Sequence, residues 1–162
     1  MIGLDCAEAS LVFDELRDDL PNLNRLMESG SYGPLRSCHP PITVPAWSCM
    51  TSGYDAGQLG IYGFRNRRGW NYEPLSVAFS SQVSKPRLWD HFSAAGRNSI
   101  CLGVPQTFPI VKPPRGVMVA SFLTPDKSMP WTYPQELAAE IDQAAEGDYV
   151  IDVRNFRTND KD

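Results

Sequence analysis

Two short apolar runs constrain the fold more than anything else in this chain. Ser99-Ile100-Cys101-Leu102-Gly103-Val104 and Gly116-Val117-Met118-Val119-Ala120-Ser121 are continuously apolar instead of alternating. A strand of that kind is covered on both faces, which is the habit of parallel sheets packed under helices. Helical stretches stand in the right places around them. Residues 87–95, opened by Pro86 and closed by Gly96, precede the first run. Residues 134–145, begun at Pro134 and stopped by Gly147, precede a third candidate strand at 148–153. Helix and strand in alternation predict an α/β fold with a largely parallel sheet.

The front of the chain reads as helix over 10–20, with Leu11, Phe13, Leu16 and Leu20 as its apolar positions, then helix over 22–29. Residues 32–38 fit a strand or an extended arm. Pro40-Pro41 bars a helix before Ile42, so a helix can begin at Thr43 and run to Gly53, with Thr43 as its N-cap and Trp47, Met50 and Thr51 as its pattern. Between Gly53 and Ser84 no period emerges, and a long structured loop with one hairpin is expected.

At 162 residues and 42% hydrophobic, the chain supports one ordinary core. A net charge of -4 gives no general attraction for nucleic acid or anionic lipid, and the run Arg65, Arg67, Arg68 is short enough to read as a solvated loop. No segment has the length and apolarity of a membrane span. Cys6, Cys38, Cys49 and Cys101 are scattered without a C-x-x-C pair, as expected in a reducing, cytoplasmic setting. Met1-Ile2-Gly3-Leu4-Asp5 reads as the closing half of a buried strand, and residues 154–162 drift into polarity. Both ends are expected to be breaks in a larger domain.

Two residues stand where chemistry is possible. Asp5 ends an apolar run, and ligands of open α/β sheets bind beyond the carboxyl ends of strands; an Asp capping the next turn is the equal alternative. Thr43 places a hydroxyl at a helix N-terminus, where amide N–H groups and the helix dipole favour an anion. Plain N-capping is its ordinary role.

The surrounding residues decide between these readings. Ile2-Gly3-Leu4-Asp5, the run Pro40-Pro41-Ile42-Thr43-Val44-Pro45-Ala46-Trp47-Ser48-Cys49-Met50-Thr51-Ser52-Gly53 and Gly60-Ile61-Tyr62-Gly63-Phe64 form one set. Gly103-Val104-Pro105-Gln106-Thr107-Phe108-Pro109, Gly116-Val117-Met118-Val119 and Thr132-Tyr133-Pro134-Gln135-Glu136-Leu137 extend it over nearly the whole chain. Together they resemble the type I phosphodiesterase and nucleotide pyrophosphatase family of the alkaline phosphatase superfamily, and most of all its microbial branch of phosphohydrolases or phosphomutases.

The resemblance implies an alkaline phosphatase-like three-layer sandwich, of which residues 1–162 would be the N-terminal part of a single catalytic domain. It implies a site of two divalent ions, zinc or alternatively manganese, with Asp5 as a metal ligand and Thr43, of the T-x-P motif, as metal ligand and nucleophile. Attack on a small-molecule phosphoester would pass through a phospho-threonine. The family's other ligands, two Asp/His pairs and a late His, have no match here, so the chain alone is expected to be inactive. Only His39 and His91 are present, and neither has a partner at ligand spacing. Both read as structural.

Thr43-Val44-Pro45-Ala46-Trp47 departs from the C/S-x-P-S-R pattern of sulfatases, which disfavours that activity. Ala46 stands where nucleotide pyrophosphatases of the eukaryotic type carry an Asn, so it cannot donate to a phosphoryl oxygen. Leu59 replaces a His common in relatives. The aromatics Trp47, Tyr62, Phe64, Trp70 and Tyr72 could wall a pocket, although loop packing is their commoner role. A phosphomutase passing the group to a second substrate hydroxyl, and a non-catalytic relative kept for binding, are the competing readings. Neither a nucleic acid nor a membrane is an expected partner, and the oligomeric state is left open.

Overall fold

The computed structural model describes residues 1–67, 69–70 and 74–152. Arg68, Tyr72, the last residue of the candidate strand at 148–153 and the polar stretch 154–162 lie outside them. The chain divides into two compact units, Met1–Ser37 and Cys38–Asp162. The fold is mixed α/β, as the alternation of elements predicts.

In the first unit the expected helix over 10–20 is broken into a π turn, Leu11–Glu15, and a 3₁₀ turn, Arg17–Asp19. Leu16 leaves the helical region between them (φ -99°, ψ 10°), and Leu20 is held out of it by the following Pro21. No residue of either turn is buried, so packing does not compensate for the poor hydrogen bonding of such short turns. Helix α1 (Pro21–Ser29) follows with Pro at its first position. Phe13 meets Tyr32 edge to face at 5.1 Å, and a shallow apolar cleft of about 220 Å³ lies between Phe13, Leu23, Met27 and Tyr32.

One strand expectation in this unit fails. Residues 1–4 join neither sheet, and Ile2 is 92% exposed; without a ladder partner an isolated apolar stretch has nothing to fix it as strand. Residues 32–38 join no sheet, so of the two forms expected there the strand is excluded and the unpaired arm remains.

In the second unit α2 (Thr43–Ser52) begins one residue earlier than an N-cap at Thr43 would require. Ile42 is the N-cap, its carbonyl accepting from Ala46 N at 3.0 Å, and Thr43 is the first helical residue. The buried face is Val44, Pro45, Ser48 and Thr51; Met50 is exposed. Small hydroxyl residues can line a buried face because each bonds a carbonyl one turn back: Ser48 to Val44 at 2.6 Å and Thr51 to Trp47 at 2.8 Å. Gly53, left-handed at φ 77°, closes the helix with its N–H on Cys49 O.

Helix α3 (Ala56–Leu59) starts at a capping box of Asp55 and Gln58. Strands β1 (Arg65–Arg67) and β2 (Leu75–Val77) then make the expected hairpin, antiparallel with Asn66 opposite Ser76. The solvated loop expected at Arg65 and Arg67 is therefore a strand, though both side chains stay on its exposed face while Asn66 points inward. Val44, Leu59, Ile61 and Ala78 form the core that joins α2, α3 and this hairpin.

Helix α4 (Leu88–Ala94) leads into β3 (Ser99–Val104), which pairs in parallel with β4 (Gly116–Ala120). The parallel pairing of β3 with β4 is the one the two apolar runs foretold, but the expected cover on both faces is not found for β3, where Ile100 and Leu102 are 73% and 64% exposed. Strand β5 (Thr132–Tyr133) adds antiparallel to β4, giving the order β3-β4-β5. Phe108, Val119, Ala120 and Trp131 form one buried cluster against which Leu137, Ala138 and Ile141 of α5 (Leu137–Ala144) pack, and Trp89, Cys101 and Met118 form a second.

The strand expected at 148–153 is not formed over its described residues. Side chains replace a ladder there: the Tyr149 ring stacks on Trp131 at 5.2 Å, and the Asp152 carboxylate accepts from Leu123 N at 3.0 Å. Lys127 further ties this stretch to α5, donating to Asp142 Oδ1 at 2.5 Å and to Gly147 O at 3.2 Å. That pair is exposed, so Lys127→Ala is expected to lower stability by no more than about 1 kcal/mol in a urea melt. No helix among the described residues is long and apolar enough to cross a membrane.

Candidate active site

Asp5 lies in the first unit and Thr43 in the second. Asp5 occupies an exposed turn, not a strand end, and its Oδ2 accepts from the Cys6 thiol at 3.6 Å. The carboxylate beside it pushes the Cys6 thiol above its ordinary pKa, by charge first and by the hydrogen bond second. Cys6 itself has a left-handed backbone, φ 59°.

Thr43 is half-buried at the first position of α2. Three features of the sequence put it there. Ile42 N donates to Pro40 O at 2.9 Å, which turns the chain into the helix. Val44, fully buried in the core of this unit, anchors the helix start. Pro45, also buried, fits the first turn because its missing N–H would have no intrahelical partner there. Ile42, the N-cap residue, offers no side-chain acceptor to the first-turn amides.

Cys49 lies farther along the same helix and is the other nucleophile type nearby. Burial, together with the neighbouring Cys38 thiol, pushes its pKa up to about 11. Since the thiolate is the reactive species, Cys49 is expected to alkylate roughly a hundredfold more slowly at pH 8 than a thiol of ordinary pKa, as peptide mass mapping after iodoacetamide would measure.

The remaining candidates are placed plainly. His39 is exposed in the turn before the prolines, and His91 is exposed on α4. Leu59 is a core residue packed with Val44. Phe64 packs against Phe122 at 5.9 Å, Tyr62 is half exposed, and Trp70 is 100% exposed; Trp47 is half-buried on α2. A cleft of about 460 Å³ is bounded by Leu59, Asn66, Arg67, Ser76 and Gln82. Its amides are engaged within the hairpin: Asn66 Oδ1 accepts from Tyr62 N at 2.8 Å, and Gln82 Nε2 donates to Val77 O at 2.8 Å.

Among the described residues no group of three or more His, Cys, Asp or Glu side chains converges as a metal site. A carboxylate and a hydroxyl suit a hard divalent ion, yet catalytic zinc takes three protein ligands, so Asp5 and Thr43 do not by themselves complete the implied centre.

Sequence reasoning missed the polar network behind α2. Ser48 Oγ reaches Gln106 Oε1, Gln106 Nε2 reaches Phe79 O at 3.4 Å, and Arg87 Nη1 donates to Gln106 O at 2.9 Å. Arg87, only 7% exposed, lies over the Trp89 ring at 4.5 Å, and burial lowers its pKa. The available signal was a lone amide between Pro105 and Thr107, just past the carboxyl end of β3.

Thr43 thus stands at a helix N-terminus, a place whose free amides suit an anion. The profile of the type I phosphodiesterase / nucleotide pyrophosphatase family matches residues 1–159, and the chain belongs to that family. No curated protein and no solved structure matches it.

Proposed function

We propose that this chain serves phosphoester hydrolysis, with Thr43 as the nucleophile and Asp5 as a metal-binding carboxylate. The observation that carries the reading is Thr43 at the first position of α2, inside Thr43-Val44-Pro45 of a chain whose family is one of phosphodiesterases. Thr43 Oγ1 would bond to phosphorus as the P–O bond to the leaving alcohol breaks, the hydroxyl proton passing to a base and the alkoxide being protonated. Water would then cleave the phospho-threonine, releasing phosphate or its monoester and restoring the hydroxyl. The first turn of α2 supports developing negative charge on the phosphoryl oxygens through its N–H groups and dipole.

Bound by Asp5 and Thr43 with further donors, zinc or manganese would supply a lowered alcohol pKa and charge neutralisation. The four free thiols support a reducing, cytoplasmic setting, and the substrate is read as a small-molecule phosphoester. The test is an assay of the complete protein, with added zinc or manganese, against a chromogenic phosphodiester and a phosphomonoester. Phosphate or monoester release matching substrate loss is expected. Transfer to a second hydroxyl of the substrate, without release, would identify a mutase instead.

A further inference from the structure

Gln106 combines three properties that seldom coincide. It is 1% exposed, it is polar, and its backbone is left-handed at φ 60°, a conformation that costs a residue with a Cβ of order 1 kcal/mol or more. A buried amide in a strained position persists only where its surroundings over-determine it. Here they do so on three sides: Ser48 of α2, the Phe79 carbonyl, and the Arg87 guanidinium on the Gln106 carbonyl.

The direction of the network gives it meaning. Ser48 Oγ, which meets Gln106, also reaches the carbonyl of Val44 at 2.6 Å, and Val44 follows Thr43 directly. The N-cap residue Ile42 contributes no side-chain hydrogen bond to the start of α2, and Pro45 removes one of its backbone donors. We infer that Gln106 is a positioning residue: through Ser48 it fixes the rotation and depth of the first two turns of α2, and with them the Thr43 hydroxyl. The inference rests on the reading of Thr43 as nucleophile. Arg87 completes the clamp by holding the Gln106 backbone, and its guanidinium is held in turn over Trp89.

The test uses the complete protein carrying Gln106→Met, which keeps volume and removes the amide, with Ser48→Ala as the second variant should the first fold poorly. Amide hydrogen exchange in a peptide covering α2 is expected to quicken about tenfold or more in either variant, while α5 is unchanged. In the hydrolysis assay kcat is expected to fall about 10- to 100-fold with KM nearly constant, because a misplaced nucleophile loses rate and not affinity. The double variant should lose no more than the worse single one. Unchanged exchange in α2 overturns the inference, as does a loss of rate that only tracks the fraction of folded protein. Thr43→Ala run alongside separates the two readings: if it stays active, the nucleophile assignment falls, while the exchange result still decides whether Gln106 clamps α2.

Discussion

Thr43→Ala is expected to lower kcat for phosphodiester hydrolysis by about 10³-fold or more while leaving the fold intact, since removing a covalent nucleophile leaves only residual binding and charge stabilisation. Stability should hardly move. The N-cap of α2 is Ile42, the helix start does not depend on a side-chain cap, and its anchoring comes from the buried Val44 and Pro45. A loss of at most about 1 kcal/mol in denaturant unfolding is anticipated, within the range of a half-buried polar substitution. Thr43→Ser keeps the hydroxyl and should retain measurable turnover. Trapping phosphate on the protein by acid quench, and finding it on Thr43 in wild type but nowhere in Thr43→Ala, would bind the activity loss to the covalent step. Phosphate on Cys49 instead would defeat the assignment.

The elements that were legible in the sequence are those whose partners are local or whose pattern is two-sided. Ser99–Val104 and the run at 116–121 announced a parallel pair because both faces are apolar, and β3 and β4 pair so. Thr43–Ser52 was bounded by Pro40-Pro41 and Gly53, which act through backbone geometry alone. Failures fell where structure depends on a partner the local sequence does not name. Ile2 and Leu4 have strand composition and no ladder; Tyr149 and Asp152 have strand composition and bond through side chains instead.

The site divides along the same line. The position of Thr43 at the start of α2 was legible to within one residue because the proline pair before it bars an earlier helix. Gln106 was not, because its significance lies in contacts with Ser48, Phe79 and Arg87 that are remote in sequence. The face of α2 was read only in part: of Trp47, Met50 and Thr51, Thr51 is buried, Trp47 half-buried and Met50 exposed, while Ser48, whose hydroxyl hides its polarity within the helix, takes a buried place.

Gly116→Ala is expected to be the most damaging small substitution in the sheet, lowering stability by about 3 kcal/mol or more through combined backbone strain and overlap. Gly116 opens β4 at φ 126°, a backbone conformation that side-chain-bearing residues rarely adopt. A Cβ there would sit 2.2 Å from the Ser99 carbonyl oxygen and 2.9 Å from the Ser99 amide nitrogen. Both are backbone atoms, and Ser99 is the residue paired with Gly116 where the parallel ladder starts, its N–H donating to Arg115 O at 2.8 Å. Relief would require β3 and β4 to separate at that end. The strain would then reach Cys101 and Met118, which sit two residues along each strand in one buried cluster with Trp89. Gly53, also left-handed, gives the contrast, because nothing lies within 4 Å of a Cβ there. Gly53→Ala should therefore cost only the left-handed backbone penalty, about 1 kcal/mol. A thermal melt of the two variants distinguishes the mechanisms: a depression of roughly 6–12 °C is expected for Gly116→Ala and only a few degrees for Gly53→Ala. Equal shifts would mean that the close approach of β4 to Ser99 is not what holds the ladder in register.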